Sequence, residues 1–349
     1  MSAARPATST AVVFHAPNDL RLEEFPLPAP GPGEVVLRVT ACGLCPGEVM
    51  DWYQARKAPV PLGHETVGVV ADAGTGARYA PGTRLFVHHH APCLTCRACR
   101  RGDHVHCAAW AARRLIPGGL ATYALAQAAA VAADALPVPE TVSDEAATFI
   151  EPLACVVKAL RRARLRGGDR VLVVGCGVMG LLHLMALRAR PEPELLLAAD
   201  RVPARVAAAV PLADRALDVS SAPLADAVRE ATGGGADVAI VGPGSLEALE
   251  AALAALAPGG TLLMFTPTPP EVRWPLRTHD LFFREIAVVP SYSAGPDDTR
   301  EALRLIAAGL PVASLVTHRL PLREAAAGYA VVRAAAEGRA RGLKVIVTP

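Results

Sequence analysis

The sequence has 349 residues, of which 35 are Lys or Arg, 33 are Asp or Glu, and 52% are hydrophobic. This balance is typical of a compact protein that buries a large core, and it excludes a disordered or polyelectrolyte chain. The formal net charge is +2 and no five consecutive residues are basic. These features exclude recruitment of nucleic acid or of an anionic membrane by charge alone.

Membrane-spanning and secretory segments are also not expected. No apolar stretch reaches the roughly 20 residues that a spanning helix requires. The longest candidate, residues 171–187, contains glycines and His183 and is followed by Arg188. Residues 1–10 lack the apolar region and the small-residue cleavage site of a signal peptide. We therefore expect a cytoplasmic protein, and its length predicts about two domains.

Short β-rich runs separated by Pro/Gly turns fill the chain from Thr8 to about Glu140. The predicted strands lie at 34–40, 67–70, 83–88 and 121–125. This pattern predicts a small antiparallel, barrel-like domain, which we assign to residues 1–153.

From about Ala154 the pattern changes to strands that alternate with Ala-rich helices. The predicted strands lie at 171–174, 194–199, 238–241 and 261–265. Such alternation predicts a doubly wound parallel sheet, so we assign the chain to the α/β class and residues 154–289 to a second domain. Residues 290–349 are interpreted as a return of the chain to the first domain. Their predicted elements are helices at 296–308 and 322–336 and a strand at 343–347.

A glycine motif directly follows the strand predicted at 171–174. It consists of Gly175, Gly177, Val178, Met179 and Gly180 at G-x-G-x-x-G spacing. In such a motif the first glycine makes a tight turn, the second lets the backbone approach a pyrophosphate, and the third allows close helix packing. The motif predicts a dinucleotide-binding site, and a purely structural glycine turn is the alternative.

An acidic residue lies where a dinucleotide site needs one. Asp200 stands twenty residues beyond Gly180, at the end of the next predicted strand. Its carboxylate would accept hydrogen bonds from ribose hydroxyls and would repel a 2′-phosphate. The sequence therefore predicts NAD(H) rather than NADP(H), with the adjacent Arg201 as the opposing feature.

Four cysteines follow one another at metal-ligand spacing. They are Cys93, Cys96, Cys99 and Cys107. Four thiolates predict a closed tetrahedral zinc site, and because no coordination position stays open, the zinc is expected to be structural. A disulfide pair is the alternative. His104 and His106 lie in the same loop and are interpreted as solvated surface residues.

A second set of possible metal ligands is dispersed along the chain. Cys45, His64, Glu65 and Glu151 could converge on one metal, and three protein ligands plus water make a catalytic zinc site. Cys42 and Cys45 also form a C-x-x-C pair, but no thioredoxin-like βαβ pattern surrounds it. In an extended segment at most His88 and His90 of the run His88-His89-His90 share a face. The run is interpreted as structural or surface-exposed, and a proton-relay or substrate role is the alternative.

The order of these motifs resembles the zinc-dependent medium-chain dehydrogenase/reductase superfamily, most closely its sorbitol and threonine dehydrogenase branch. The resemblance covers essentially the whole chain. The features that carry it are Cys45, Gly63-His64-Glu65, the four-cysteine lobe at about 90–110, the segment 117–123, Glu151-Pro152-Leu153, the glycine motif and Lys344.

The resemblance implies a GroES-like catalytic domain in two sequence segments around a Rossmann NAD-binding domain. By position, Cys45, His64 and either Glu65 or Glu151 would bind a catalytic zinc, giving two zinc ions per chain. Glu48 would orient His64. The resemblance further implies that Lys344 faces the acidic ligand and that Arg205 lies near the adenosine ribose beside Asp200. It also implies a homodimer or homotetramer.

The segment after Cys45 departs from the family. Relatives commonly carry a Ser or Thr that passes the substrate proton towards solvent, but Gly47 offers no hydroxyl. Met50 stands where some alcohol dehydrogenases have a relay histidine. The proton must therefore leave by another route, by water, or not at all. The nearest titratable candidates are Glu65 and Glu151, of which Glu151 is the favoured acceptor. The alternative for Glu151 is a role as metal ligand or orienting residue.

The function expected from these features is a zinc-dependent oxidoreductase that transfers hydride between NAD(H) and a polar secondary alcohol or ketone. A polyol, sugar, cyclitol or amino alcohol is the expected small-molecule substrate, from the resemblance alone. The alternatives are an NADH-dependent carbonyl or enone reductase with an unusual proton route and a non-catalytic cofactor-binding protein.

Overall fold

The computed structural model describes residues 5–112, 115–339 and 342–349. The chain forms two compact units. The first comprises Met1–Ala154 and Ala294–Pro349, and the second comprises Cys155–Ser293. Each unit is described by itself.

Strands and helices occur along the whole of the described chain. The strands are β1 Thr8–Ala16, β2 Asp19–Pro26, β3 Val35–Gly43, β4 Val60–Pro61, β5 Glu65–Ala73, β6 Arg84–Val87, β7 Leu115–Ile116, β8 Tyr123–Ala126, β9 Ala135–Pro137, β10 Asp169–Val174, β11 Pro193–Asp200, β12 Arg215–Asp218, β13 Ala236–Val241, β14 Leu256–Met264, β15 Ala287–Pro290, β16 Val316–Pro321 and β17 Lys344–Thr348. The helices are α1 Asp51–Gln54, α2 Arg97–Arg100, α3 Ala128–Asp134, α4 Asp144–Ala147, α5 Ile150–Ala163, α6 Val178–Arg188, α7 Pro203–Ala209, α8 Leu224–Thr232, α9 Leu246–Ala255, α10 Thr278–Phe283, α11 Pro296–Ala307 and α12 Ala325–Ala336.

The first unit is built on a sheet in the order β16-β17-β3-β5-β6-β9, with β8 also paired to β3 and β7 to β8. A smaller sheet has the order β2-β1-β4. The antiparallel register of β3 and β5 sets Gly43 opposite Glu65, and β17 sets Ile346 opposite Gly43 on the other side. Strands from both sequence segments therefore meet at the end of β3.

Strand β3 owes its central position to its apolar sequence, since of its side chains only Arg38 is exposed. Val35, Leu37 and Val39 belong to one hydrophobic cluster, whereas Cys42 and the following Leu44 pack in another with Tyr329. The end of β3 is thus fixed by residues of the C-terminal segment.

The second unit contains a six-stranded sheet in the order β12-β11-β10-β13-β14-β15. All of its neighbouring strands run parallel. This is the strand order of a dinucleotide-binding fold, in which the central strand comes first in the chain. Its core is formed by side chains of the strands and of α8 and α9.

These sheets confirm the predicted fold class, a barrel-like β domain together with a doubly wound parallel sheet. The strands predicted at 171–174, 194–199 and 238–241 lie inside β10, β11 and β13. One edge of the first unit differs from the antiparallel prediction, because β16 and β17 pair in parallel. The connection between them contains α12, and parallel neighbours need such a crossover.

Candidate active site

Cys45 lies two residues beyond β3, at the start of a 3₁₀ turn formed by Pro46–Val49. Its Sγ accepts a hydrogen bond from the backbone nitrogen of Gly47 over 3.3 Å. Burial raises the pKa of the Cys45 thiol, and the neighbouring His64 opposes that increase. A cation at Sγ would therefore favour the thiolate.

Glu65 is the first residue of β5 and lies opposite Gly43. A Cβ at Gly43 would lie 2.0 Å from Oε2 of Glu65 and 2.8 Å from Cε of Lys344. Only glycine leaves room for the Glu65 carboxylate and the Lys344 ammonium to meet at this point.

Cys45, His64 and Glu65 each offer one ligand atom, and these atoms lie within 4.8 Å of one another. A thiolate, an imidazole and a carboxylate are ligands that zinc takes in proteins. The structure therefore brings together three of the four dispersed ligands predicted from the sequence, with Glu65 rather than Glu151 beside Cys45 and His64.

The Glu65 carboxylate is buried, and its two oxygens differ in their hydrogen bonding. Oε2 accepts a hydrogen bond from Nζ of Lys344, which also donates to the carbonyl oxygen of Leu44 over 3.2 Å. Oε1 is buried and has no hydrogen-bond partner among the described residues. Burial raises the pKa of Glu65 although Lys344 opposes the increase. Oε1 of Glu65, a buried acceptor without a hydrogen-bond donor among the described residues, is suited to bind a cation.

His64 is held by a buried carboxylate. Its Nδ1 lies 2.9 Å from Oε1 of Glu48, which also accepts a hydrogen bond from the backbone nitrogen of Gly63 over 2.9 Å. Oε2 of Glu48 accepts a hydrogen bond from the Tyr329 hydroxyl. This arrangement fixes the His64 ring, so that Nε2 is the nitrogen available to a metal.

The charges of this group reinforce one another. Burial opposes ionisation of Glu48, but His64 and the hydrogen bonds from Tyr329 and Gly63 outweigh it and lower the Glu48 pKa. Burial likewise disfavours the His64 imidazolium, but Glu48 and Cys45 outweigh it and raise the His64 pKa well above its ordinary value. The pocket around His64 therefore favours positive charge.

Gly47 lies next to Cys45, and Met50 lies next to Gly47. A Cβ at Gly47 would lie 3.4 Å from Sγ of Cys45 and 3.6 Å from Cε of Met50, which are ordinary contacts. Neither residue supplies a side-chain oxygen or nitrogen there. The absence of a hydroxyl at position 47 is therefore not imposed by lack of space.

Glu151 lies in the first turn of α5, beside His88 and His89. One ligand atom from each of these three residues lies within 4.8 Å of the others. The His89 ring also packs on the His64 ring, with 4.8 Å between centroids. Burial and the neighbouring His90 and His88 lower the His89 pKa well below its ordinary value. Sequence reasoning missed His89, because the strand predicted to 88 ends at Val87 and the alternation rule no longer applies.

The four predicted lobe cysteines converge. Their sulfur atoms lie within 4.8 Å of one another, and all eight cysteines of the chain are free thiols. The backbone nitrogens of Cys93 and Cys96 donate to the sulfurs of Cys107 and Cys93, each over 3.3 Å. Such N–H donors stabilise thiolates. The arrangement fits a four-thiolate metal site, and these four cysteines do not form the alternative disulfide.

The glycine motif opens α6 in the second unit. Gly175 has a φ of +90°, in the left-handed region, and makes the turn out of β10. A Cβ at Gly180 would lie 1.8 Å from the carbonyl oxygen of Gly175. Only glycine at position 180 therefore allows α6 to pack this closely against the turn at Gly175. A Cβ at Gly177 would meet nothing within 4 Å, which leaves open space at the helix N-terminus before Val178 and Met179.

Asp200 ends β11 and is 7% exposed. Its carboxylate accepts hydrogen bonds from the backbone nitrogens of Cys176, over 2.7 Å, and Val202, over 2.8 Å. Arg205 lies 3.8 Å away, whereas Arg201 is largely exposed and lies 3.9 Å from Glu247. The acidic side chain therefore faces the glycine motif, and Arg201 pairs elsewhere.

Two further buried residues that support these histidines were not predicted from the sequence. Tyr329 reaches Glu48 from α12, 281 residues further along the chain. Asp134 lies beside His88, with 3.2 Å between Oδ2 and Nδ1. Neither stands in a motif, and only the fold brings them to the site.

Within the described ranges, no helix is both long and apolar enough to span a membrane.

A family model for the alcohol dehydrogenase GroES-like domain matches residues 31–140, and one for zinc-binding dehydrogenases matches residues 179–308.

Similar proteins align with nearly the whole chain. The erythritol/L-threitol dehydrogenase of Mycolicibacterium smegmatis is 30% identical, over 97% of this chain and 98% of that protein. The sorbitol dehydrogenase of Bos taurus is 30% identical, over 99% of this chain and 98% of that protein. A solved structure from Sinorhizobium meliloti 1021, described as a zinc-binding dehydrogenase bound to NADP, has a TM-score of 0.84 and 26% identity. The match covers 99% of this chain and 100% of that one.

Proposed function

The chain belongs to the zinc-type medium-chain dehydrogenase/reductase family, in its sorbitol dehydrogenase-like branch, and from this premise we propose that it is a zinc-dependent, NAD(H)-linked dehydrogenase of polar secondary alcohols. At the family level it is an oxidoreductase that acts on alcohols. The substrate is a polyol, sugar, cyclitol or amino alcohol. The observation that carries the proposal is the convergence of Cys45, His64 and the buried Glu65 on one point.

The charges of that set fit a divalent cation. Cys45 as a thiolate, Glu48 and Glu65 contribute three negative charges. Lys344 contributes one positive charge within the same hydrogen-bonded group. The net charge of these four groups is thus −2, which a Zn²⁺ ion would compensate. When bound, the zinc supplies Lewis acidity to the substrate oxygen, and the nicotinamide supplies hydride chemistry.

The protein residues orient the ligands and set their charge. Glu48 and Tyr329 hold His64 in one ring orientation, while Lys344 holds one oxygen of Glu65 and leaves the other available. Ligands that are already held in position need little reorganisation when the metal binds. Glu48, Tyr329 and Lys344 are expected to contribute in this way.

A second zinc ion is assigned to Cys93, Cys96, Cys99 and Cys107. Four thiolates close the coordination sphere, so this ion stabilises the fold of the lobe and takes no part in catalysis.

NAD(H) is the proposed cofactor because Asp200 is buried at the end of β11 and faces the glycine motif. A carboxylate at this position accepts hydrogen bonds from the ribose hydroxyls of NAD(H) and repels the 2′-phosphate of NADP(H). Arg201 points to solvent, where it offers little to oppose this preference, and Arg205 lies close to Asp200.

Glu151 is the proposed proton acceptor, because Gly47 and Met50 offer none. The Glu151 residue is 6% exposed. Burial is the main reason that the pKa of the Cys45 thiol is raised; His64 opposes the increase, and the charge of Glu151 adds to it, so Glu151 lies close to Cys45.

The missing hydroxyl at position 47 also favours a second candidate function, NADH-dependent reduction of carbonyls or enones. In that reaction the substrate or water can supply the proton.

The proposal is tested by measuring oxidation with NAD⁺ and reduction with NADH over polyols, sugars, amino alcohols and enones. We expect oxidation of a polyol or related alcohol, lost in Cys45→Ser and retained in His279→Ala, which alters an exposed histidine of the other unit. Reduction of enones without alcohol oxidation would favour the second candidate. Absence of both activities in zinc-loaded protein would contradict both. We also propose that the protein is a homodimer or homotetramer. Light scattering on the same preparations measures the oligomeric state.

A further inference from the structure

We propose that His88, His89 and Glu151 form a second site for a divalent transition metal, beside the Cys45–His64–Glu65 set and separate from it. One ligand atom from each residue lies within 4.8 Å of the other two. His88 follows β6, and Glu151 lies in the first turn of α5, so ordered elements hold both. Two imidazoles and one carboxylate form a ligand set that zinc binds in proteins.

The protonation of His88 suits metal binding. Its Nδ1 lies 2.9 Å from the carbonyl oxygen of His90 and 3.2 Å from Oδ2 of Asp134. Both atoms are acceptors, so they hold a proton at Nδ1, and a metal would bind the ring through the lone pair of Nε2. The His88 side chain is fully buried, and Nε2 has no hydrogen-bond partner in the part of the chain that the structure describes. A buried nitrogen in this state needs a ligand.

His88 and His64 are each held by a carboxylate that in turn accepts a hydrogen bond from a hydroxyl. Oδ1 of Asp134 accepts a hydrogen bond from the Thr299 hydroxyl over 2.5 Å, just as Glu48 accepts one from Tyr329. Each histidine is thus backed by a buried carboxylate, and each carboxylate by a hydroxyl from the C-terminal segment. Carboxylates that hold ligating histidines in this way fix the ring and increase its basicity.

His89 and the local charge complete the site. Nδ1 of His89 is buried and, within residues 5–112, 115–339 and 342–349, has no hydrogen-bond partner. Asp134 is 1% exposed and Glu151 is 6% exposed, so two carboxylates are buried beside these imidazoles. A dication bound here would be attracted by both carboxylates.

The second ion would bind to the Glu151 carboxylate. It would thereby withdraw Glu151 from the role of proton acceptor proposed above, so the two roles belong to different metal-loading states of the chain. The second site does not rest on the dehydrogenase activity, because it is defined by metal content.

The test is the number of zinc ions that the full chain retains after equilibration with zinc and dialysis. Three donor groups predict three ions per unaltered chain, two in His89→Gln and two in Cys45→Ser. The double variant should retain one, bound by the lobe cysteines. His279→Ala, a matched change of an exposed histidine, should retain three. Anomalous difference density at the zinc edge should show an ion about 2.0–2.2 Å from Nε2 of His88 and from Glu151.

Several results would overturn the proposal. Two ions in the unaltered chain would mean that no second site forms. Equal zinc content in Cys45→Ser and in the double variant would mean that both ligand sets share one ion. Loss of an ion in His279→Ala would assign the additional zinc to the surface. Glu151→Gln, with far-ultraviolet circular dichroism as the folding control, repeats the test if His89→Gln fails to fold.

Discussion

The hydroxyl of Tyr329 donates a hydrogen bond to Oε2 of Glu48, and Oε1 of the same carboxylate holds Nδ1 of His64. Tyr329 and Glu48 are both buried. The C-terminal segment of the chain therefore sets the orientation of a proposed metal ligand near its beginning.

Replacing Tyr329 with Phe should weaken this support without removing a ligand. Oε2 of Glu48 would lose its donor, and we expect zinc affinity or activity to fall by about 10-fold to 100-fold. Chelator competition measures the affinity. Tyr79→Phe is the matched control, because Tyr79 is also buried in the first unit and its hydroxyl donates to the carbonyl oxygen of Ala135. Equal losses in the two variants would assign Tyr329 a purely structural role.

Replacing Lys344 with Met should leave the Glu65 carboxylate buried without its cation. Removing one partner of a buried ion pair costs about 3–5 kcal/mol of unfolding free energy. The variant should therefore be strongly destabilised, as measured by denaturant unfolding of the metal-free protein. Adding Glu65→Gln removes the unpaired charge and should restore much of the stability, but not zinc binding at Cys45 and His64. A destabilisation that Glu65→Gln leaves unchanged would mean that Lys344 acts by packing.

The site shows which features can be predicted from a sequence. Cys45, His64 and the lobe cysteines stand in short motifs whose spacing reflects metal coordination, and the glycine motif reflects backbone geometry at a helix start. Such local constraints leave a pattern in neighbouring positions. Tyr329 and Asp134 act through contacts with residues far away in the sequence, where no spacing rule applies.

The fold shows the same distinction. Strands β10, β11 and β13 were predictable because they are nearly continuous apolar runs in a parallel sheet. Strand β2 was not predicted, because its Asp-Leu-Arg-Leu-Glu-Glu sequence is half-exposed and carries charges. The position of His89 also depends on where β6 ends, and element boundaries are set by tertiary packing as well as by sequence.

Replacing Asp200 with Asn should reduce the preference for NAD(H). The amide still accepts one backbone hydrogen bond but no longer repels a 2′-phosphate, so we expect weaker NAD⁺ binding and improved NADP⁺ binding. Fluorescence titration with NADH and NADPH measures both affinities. Arg201→Ala is the control at the adjacent exposed position and should leave the preference unchanged. If the unaltered chain binds NADPH as tightly as NADH, the assignment to Asp200 is wrong.

His183 should make the second unit sensitive to acid. Burial lowers the pKa of His183 from 6.5 to about 4, although its hydrogen bond to the carbonyl oxygen of Met179 opposes that decrease. Because the unfolded chain takes up the proton first, stability is lost as the pH falls from 6.5 towards about 4. The loss should be about 2 kcal/mol at about pH 5. His183→Met should remove this part of the pH dependence, as measured by unfolding at several pH values.

Restoring a hydroxyl at position 47 should change the proton route. A Cβ there makes ordinary contacts with Sγ of Cys45 and Cε of Met50, so Gly47→Ser fits without rearrangement. We expect alcohol oxidation to become faster in Gly47→Ser and to remain unchanged in Gly47→Ala, which adds the carbon without the hydroxyl. With the hydroxyl present, Glu151→Gln should reduce the rate less than it does in the unaltered chain, since the proton has a second acceptor. Rates measured across pH for the four variants separate these effects. Identical behaviour of Gly47→Ser and Gly47→Ala would mean that a hydroxyl at this position takes no part, and that the proton leaves through Glu151 or water.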